Sequence, residues 1–175
     1  MAALARSELE PGADTDTAAL APRAQAPTVL YIAGSGRSGS TLLERALGEI
    51  PGFVSVGELV DLYRRTAAHD ERCGCGKAFA DCTFWAAVGD RAFGGWEGER
   101  LAAVHGLQGR IARQRHMPRL LAMRLAGRDF RSDVASYGDN YASLYRAIAA
   151  ESGAACVVDA SKWAVQAPAP GSTCG

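Results

Sequence analysis

The sequence lacks any long apolar run, and this excludes several classes of protein. Nowhere among its 175 residues do about 18 consecutive apolar residues occur, so no membrane-spanning helix is expected. The amino-terminal segment also lacks a basic start followed by an apolar stretch, which argues against a secretory or organellar leader. Residues 1–27 are instead rich in Ala, Pro and acidic side chains. We expect a disordered tail on a cytoplasmic protein.

The sequence also lacks an excess of charge of either sign. Lys and Arg number 19, and Asp and Glu number 19, so the formal net charge is zero. Neither nucleic acid nor an anionic membrane is therefore an expected partner. With 48% hydrophobic residues, the chain can bury a core of its own. Any anion site has to be local.

The sequence has three histidines and five cysteines. His69, His105 and His116 have no evident anchoring partner, and each is predicted to be a surface residue. Five cysteines are an odd number, and in a reducing compartment they remain thiols. Three of them lie in a glycine-rich loop: Cys73, Cys75 and Cys82. Their spacing, even with His69 added, matches no standard two-plus-two zinc knuckle, so we expect a metal-free loop anchored by Phe84 and Trp85.

Three short apolar runs have the pattern of buried strands. They are Thr28 to Ala33, Phe53 to Val56 and Ala155 to Val158. The first is expected to be buried on both faces, and apolar residues then recur at helical spacing from Leu42 to Leu47. The prediction is an α/β domain over residues 28–162 with a parallel sheet and a large helical insertion. Residues 163–175 are predicted to be an unstructured tail.

The insertion contains three predicted helices. Apolar spacing marks one from Leu101 to Ile111, another after Pro118, and a third from Phe130 to Ile148. The third carries a tyrosine stripe, which we interpret as helix packing: Tyr137, Tyr141 and Tyr145. A sheet of three strands is smaller than the usual four to six or so, and is therefore expected to be incomplete.

The most informative segment joins the first strand to the first helix. It reads Gly34-Ser35-Gly36-Arg37-Ser38-Gly39-Ser40-Thr41. Backbone N–H groups and the dipole at a helix amino terminus favour an anion there. The glycines let the backbone approach an anion closely, the hydroxyl groups add donors, and the Arg37 guanidinium adds positive charge. These features predict a phosphate-binding loop, and the plain alternative is a glycine turn with a solvated arginine.

This loop fits three templates. Its three glycines have the spacing of a dinucleotide fingerprint, with Glu58 about 20 residues later as a ribose-binding acid, which favours an oxidoreductase. The long helical insertion argues against that fold, because its strands and helices alternate briskly. The outer glycines also fit the phosphate loop of nucleotide kinases, with Ala155 to Asp159 as a metal-binding strand. Ser40, however, stands where that template needs lysine.

The third template is the 5′-phosphosulfate loop of the sulfotransferases that use 3′-phosphoadenosine 5′-phosphosulfate (PAPS). Gly-Arg-Ser-Gly-Ser-Thr-Leu-Leu at residues 36–43 resembles that loop. The resemblance to bacterial members continues in an ordered set of blocks: Ser55-Val56-Gly57-Glu58-Leu59, Cys73-Gly74-Cys75-Gly76, Asp81-Cys82, Phe84-Trp85, Val157-Val158-Asp159 and Ser161-Lys162. It covers residues 28–162 and implies a P-loop-like three-layer fold.

The resemblance also implies roles for individual residues. Arg37 takes the place of a Lys or Arg at the bridging oxygen and 5′-phosphate, where negative charge grows as the S–O bond breaks. The remaining donor-binding residues would be Ser35, Gly36, Ser38, Gly39, Ser40 and Thr41. Glu58 is the candidate base for the acceptor proton, with a solvated or helix-starting acid as the plain alternative. No metal is required.

The third strand ends in polar residues beside the same edge of the sheet. Lys162 is in position to meet the donor or the acceptor, whereas Asp159 has a simple capping role as its alternative. The family also grips the 3′-phosphate with a later arginine and serine, and no such pair follows Lys162. We therefore expect a truncated sulfotransferase-like chain, with a non-catalytic remnant as the alternative. The acceptor is a hydroxyl or amine of a small molecule, glycan or lipid, and the sequence does not choose among them.

Overall fold

The computed structural model describes residues 26–63, 71–97, 99–112 and 114–162. The strands are β1 (Thr28–Ala33), β2 (Phe53–Ser55) and β3 (Cys156–Lys162). The helices are α1 (Ser40–Gly48), α2 (Thr83–Phe93), α3 (Glu99–Ile111), α4 (Met117–Leu121) and α5 (Arg128–Ser152), with 3₁₀ turns at Leu59–Asp61, Gln114–His116 and Met123–Leu125. Across these ranges no helix combines the length and apolarity needed to cross a bilayer. The predicted tails lie outside the described residues, apart from positions 26 and 27.

The three strands form one parallel sheet in the order β1-β3-β2. Thr28 of β1 and Phe53 of β2 both pair with Cys156, one on each side of β3. The last strand in the chain is thus the central one, and all its residues except Lys162 are buried. The predicted α/β architecture with a parallel sheet is confirmed. β3 starts one residue later than predicted and runs four residues further, to Lys162.

The apolar core lies between the sheet and the helical insertion. Helices α2 and α3 pack against α5, and α5 also contacts β3. The tyrosine stripe of α5 belongs to this core, with each residue 5–7% exposed, so the helix-packing interpretation is confirmed. Trp85 at the start of α2 is 8% exposed, and Phe84 packs against the same cluster. These two residues anchor the preceding cysteine-containing loop, as expected.

The predicted first helix is confirmed, but the burial predicted for the first strand is wrong. β1 is not buried on both faces, since Leu30 is 38% exposed. The apolar residues Leu42 and Leu43 of α1 are 77% and 51% exposed, and the helix buries Ser40 and Glu44 instead. The reason is the position of α1, which packs over β2 and β3 and leaves the face of β1 largely uncovered.

Candidate functional site

The carboxyl ends of the three strands meet at one edge of the sheet. The glycine-rich loop that leads into α1 begins at Gly34, directly after β1. Glu58 follows β2, and Lys162 ends β3. The backbone N–H of Gly34 donates to the carbonyl oxygen of Lys162 at 3.1 Å, which ties the start of the loop to the central strand. Parallel strands present their ligand-binding loops at this edge. The fold therefore places Glu58, Lys162 and the loop on the same side of the sheet.

The loop backbone is held in a shape that few residues adopt. Gly39 has a φ of 80° and Arg37 has a φ of 63°, both in the left-handed region. Glycine tolerates this conformation, but an arginine there is uncommon and is strained by roughly 1–3 kcal/mol. The carbonyl oxygen of Gly39 accepts the first hydrogen bonds of α1, from the N–H groups of Leu42 and Leu43. The loop thus delivers the chain directly into the helix amino terminus.

The side chains of this loop are available to solvent. Every residue from Gly34 to Thr41 is exposed except Ser40, whose exposed fraction is 6%. Within the described residues, Arg37 makes no ion pair with an acidic side chain. A guanidinium without a protein partner keeps all its donors for a ligand. The loop therefore offers an accessible cation together with the backbone and hydroxyl donors of α1's amino terminus.

Glu58 and Lys162 form an ion pair across the ends of β2 and β3. The Lys162 ammonium donates to Glu58 Oε1, and the side chains are 17% and 32% exposed, respectively. Lys162 itself has a φ of 65°, another left-handed residue at this edge. The pair fixes the carboxylate that the sequence marked as a base. The same ion pair engages the Lys162 ammonium, which the sequence analysis placed in contact with the donor or the acceptor.

A second carboxylate stabilises the chain segment that precedes Glu58. Glu44, on the inward side of α1, accepts hydrogen bonds from the Ser55 hydroxyl and, at 2.9 Å, from the Gly57 N–H. Its exposed fraction is 9%. Glu44 thereby holds the turn that precedes Glu58 against the helix that follows the loop. Sequence reasoning missed this residue; the signal was its position one helical turn after Ser40.

Asp159 and Ser161 form a buried network rather than an open binding edge. The Tyr145 hydroxyl donates to Asp159 Oδ2 at 2.7 Å, and the Ser161 hydroxyl donates to Asp159 Oδ1. Ser161 in turn accepts the N–H of Val60 at 2.9 Å. Burial raises the pKa of Asp159, and burial together with Asp159 raises the pKa of Tyr145. The network positions the 3₁₀ turn that directly follows Glu58.

Neither of the two described histidines, His105 and His116, contributes a base at this edge. His105 is exposed, as predicted. His116 is partly buried instead of lying free on the surface, because its ring packs edge-on against Phe130 with centroids 6.1 Å apart. His69 lies outside the described residues.

Comparison with known proteins adds no relative. No family model matches the chain, and no curated protein and no solved structure matches it significantly.

Proposed function

We propose that this chain is a sulfotransferase-like protein that takes a sulfuryl group from PAPS to a hydroxyl or amine acceptor. The observation that carries the proposal is the meeting of three strand ends. At this edge, a strand-to-helix glycine loop lies beside an acid-lysine pair, Glu58 and Lys162. The loop bears Arg37, which has no ion pair among the described residues. Sulfuryl transfer needs this combination of anion cradle, cation and base.

Each group has a role in an in-line displacement. Residues Ser35 to Thr41 would hold the 5′-phosphate, and Arg37 would stabilise the charge that grows on the bridging oxygen. Glu58 would accept the proton of the acceptor as its oxygen or nitrogen bonds to sulfur. The S–O bond to the phosphate then breaks and the 3′,5′-bisphosphate PAP leaves. Lys162 would orient the Glu58 carboxylate for this transfer.

The strand order disfavours the dinucleotide-binding alternative. In that fold the second strand lies beside the first, so that its terminal acid reaches the ribose of a nucleotide bound at the first loop. Here β3 separates β1 from β2. Glu58 accordingly ends a strand two positions from the loop and is engaged by Lys162.

The buried network disfavours the nucleotide-kinase alternative. That reading needs a strand-end aspartate to hold a metal ion near the phosphates. Asp159 is fully buried, and both its carboxylate oxygens accept hydrogen bonds from Tyr145 and Ser161. The carboxylate has no side open to a nucleotide-bound cation.

The proposal includes a P-loop-like three-layer fold and a cytoplasmic location. It includes a small-molecule, glycan or lipid acceptor as well. A remnant that binds the donor without turnover is the remaining alternative.

Ligand-induced stabilisation tests the proposal. Full-length protein is titrated with PAP, NAD and ATP while its thermal unfolding is followed. We expect PAP alone to raise the melting temperature, because a ligand at 100 times its dissociation constant adds about 2.7 kcal/mol. Arg37→Ala should abolish most of this shift, since a hydrogen bond to a charged group contributes about 1.5–3 kcal/mol.

A matched control is Arg45→Ala, which removes an exposed arginine from the last turn of α1, the helix that follows the loop. It should respond to PAP as the unchanged protein does. Stabilisation by NAD alone would reject the sulfotransferase reading, and an Arg37→Ala variant with an undiminished PAP response would reject the anion contact. Sulfuryl transfer from PAPS to an acceptor panel then separates an enzyme from a remnant.

A further inference from the structure

Three cysteine thiols converge in the loop that precedes α2. The loop turns back on itself through an isolated antiparallel bridge between Arg72 and Ala78. Inside it, the Cys73 N–H donates to the carbonyl oxygen of Lys77 at 2.8 Å, and the Gly76 N–H donates to that of Cys73 at 2.8 Å. This tight turn sets Cys73 and Cys75 side by side and brings them to Cys82 at the end of the loop.

The sulfur atoms have the spacing of ligands around one metal ion. Cys82 Sγ lies 3.4 Å from Cys73 Sγ and 3.7 Å from Cys75 Sγ, and all three sulfurs are within 4.8 Å of one another. A disulfide would need about 2.05 Å. Thiolates at about 2.3 Å from a tetrahedral zinc ion are about 3.8 Å apart. The observed distances match the second arrangement and not the first.

One backbone N–H group also lies against the cluster. The Cys75 N–H donates to Cys73 Sγ across 3.5 Å. Cys82 is 3% exposed, Cys73 is partly buried, and Cys75 is exposed. The cluster is thus closed on the side of the core and open at Cys75, where an ion can enter and a fourth ligand can bind.

The scaffold beneath the cluster is rigid. Cys82 directly precedes the first turn of α2. Phe79, from the same loop, stacks on Trp85 with ring centroids 5.5 Å apart and meets Trp96 edge-on at 5.4 Å. Precise ligand placement requires such support.

We propose that Cys73, Cys75 and Cys82 bind one Zn²⁺ ion through their sulfurs, in a three-thiolate site that fastens this loop to the start of α2. Tetrahedral sulfur coordination selects zinc among the common divalent ions. Binding replaces three thiol protons by the metal, and no oxidant or reductant takes part. The fourth position is left to water or to a ligand that the proposal does not assign. This proposal differs from the prediction of a metal-free loop that the cysteine spacing gave.

Cobalt substitution is the direct test. Reduced, full-length protein without an affinity tag is titrated with Co²⁺, whose bond to thiolate absorbs in the near ultraviolet in proportion to the number of sulfurs. We expect saturation at one equivalent, displacement by Zn²⁺, and an intensity typical of three thiolates. Cys75→Ala should remove about a third of this intensity and weaken Zn²⁺ binding by a factor on the order of a hundred.

The matched control is Cys156→Ala, because Cys156 is a buried thiol on β3 and not part of the cluster. It should bind Co²⁺ as the unchanged protein does. Circular dichroism checks that both variants fold, which is expected for Cys75 because it is exposed. Absence of saturable Co²⁺ binding would overturn the proposal, as would an unchanged spectrum in Cys75→Ala. PAP plays no part in this assay, so its outcome is independent of the sulfotransferase proposal.

Discussion

Asp159 carries a carboxyl group that the fold withdraws completely from water. Removal of hydration disfavours the ionised form, and burial is the main reason that its pKa is raised. The hydrogen bonds from Ser161 and Tyr145 favour the ionised form and offset only part of that effect. Asp159 therefore links α5 to the end of β3. The free-energy cost of burying its carboxylate depends on pH.

That cost predicts a pH-dependent stability. Because the pKa of Asp159 is higher in the folded than in the unfolded chain, the folded state binds the proton more tightly. Its contribution to the free energy of unfolding falls as pH rises from about the ordinary value of 3.8 through the raised folded-state pKa. Relative to that of Asp159→Asn, the free energy of unfolding of the unchanged protein should fall by about 1.4 kcal/mol for each pH unit between the two pKa values. Urea unfolding at a series of pH values measures this difference.

Asp133 is a control, because its contribution to stability should depend on pH in the opposite direction. The Arg110 guanidinium, 2.8 Å from its carboxylate, lowers the pKa of Asp133. Stability from this exposed pair should disappear as pH falls through the lowered pKa, and Asp133→Asn should remove that dependence. A difference between the unchanged protein and Asp159→Asn that stayed constant or grew with pH would contradict the burial argument.

At the scale of elements, local sequence patterns were sufficient to predict the helices but not the candidate site. The stripe from Phe130 to Ile148 predicted α5 because repeated apolar spacing is a property of the helix itself. The loop after β1 was likewise predictable from its glycines. The Glu58–Lys162 pair was not, because the two residues are 104 positions apart and only the strand order joins them. The exposure of Leu42 was also missed, since it depends on which strands α1 covers.

Two glycines inside helices should respond oppositely to alanine. A Cβ at Gly89 of α2 would lie 2.3 Å from Trp96 Nε1, a ring that also donates to the Trp85 carbonyl. Gly89→Ala should therefore cost about 1–3 kcal/mol by overpacking. Among the described residues, a Cβ at Gly109 of α3 meets nothing within 4 Å, so Gly109→Ala should stabilise by about 0.5–1 kcal/mol. Urea unfolding of both variants checks the signs. A neutral Gly89→Ala would mean that Trp96 moves freely.

The whole molecule is organised around its last strand. β3 pairs with both other strands, contacts α1 and α5, and supplies Lys162 to the candidate site. β1 lies beside it with one paired edge among the described residues, and with Leu30 partly open to solvent. Position in the sheet, more than side-chain size, should then decide the effect of a core substitution.

A pair of truncations tests this ranking. Val157→Ala removes two methyl groups from a fully buried site in β3 and should cost about 2 kcal/mol or more. Leu30→Ala removes a larger side chain from β1, yet should cost less than Val157→Ala because Leu30 is 38% exposed in the folded protein. Chemical denaturation of the two variants gives the comparison. An equal or larger loss for Leu30→Ala would show that β1 is covered in solution.

The central place of β3 has a consequence for biosynthesis. β1 and β2 do not pair with each other in the described chain, and the strand that joins them is made about a hundred residues after β2. Translation runs from the amino terminus, so both strands leave the ribosome without a partner. Closure of such a distant contact is slow, and it exposes strand edges to chaperones or to neighbouring nascent chains in the interval. The loop after β1, whose Gly34 N–H bonds to the Lys162 carbonyl oxygen, thus reaches its final shape only when synthesis of the described fold is nearly finished.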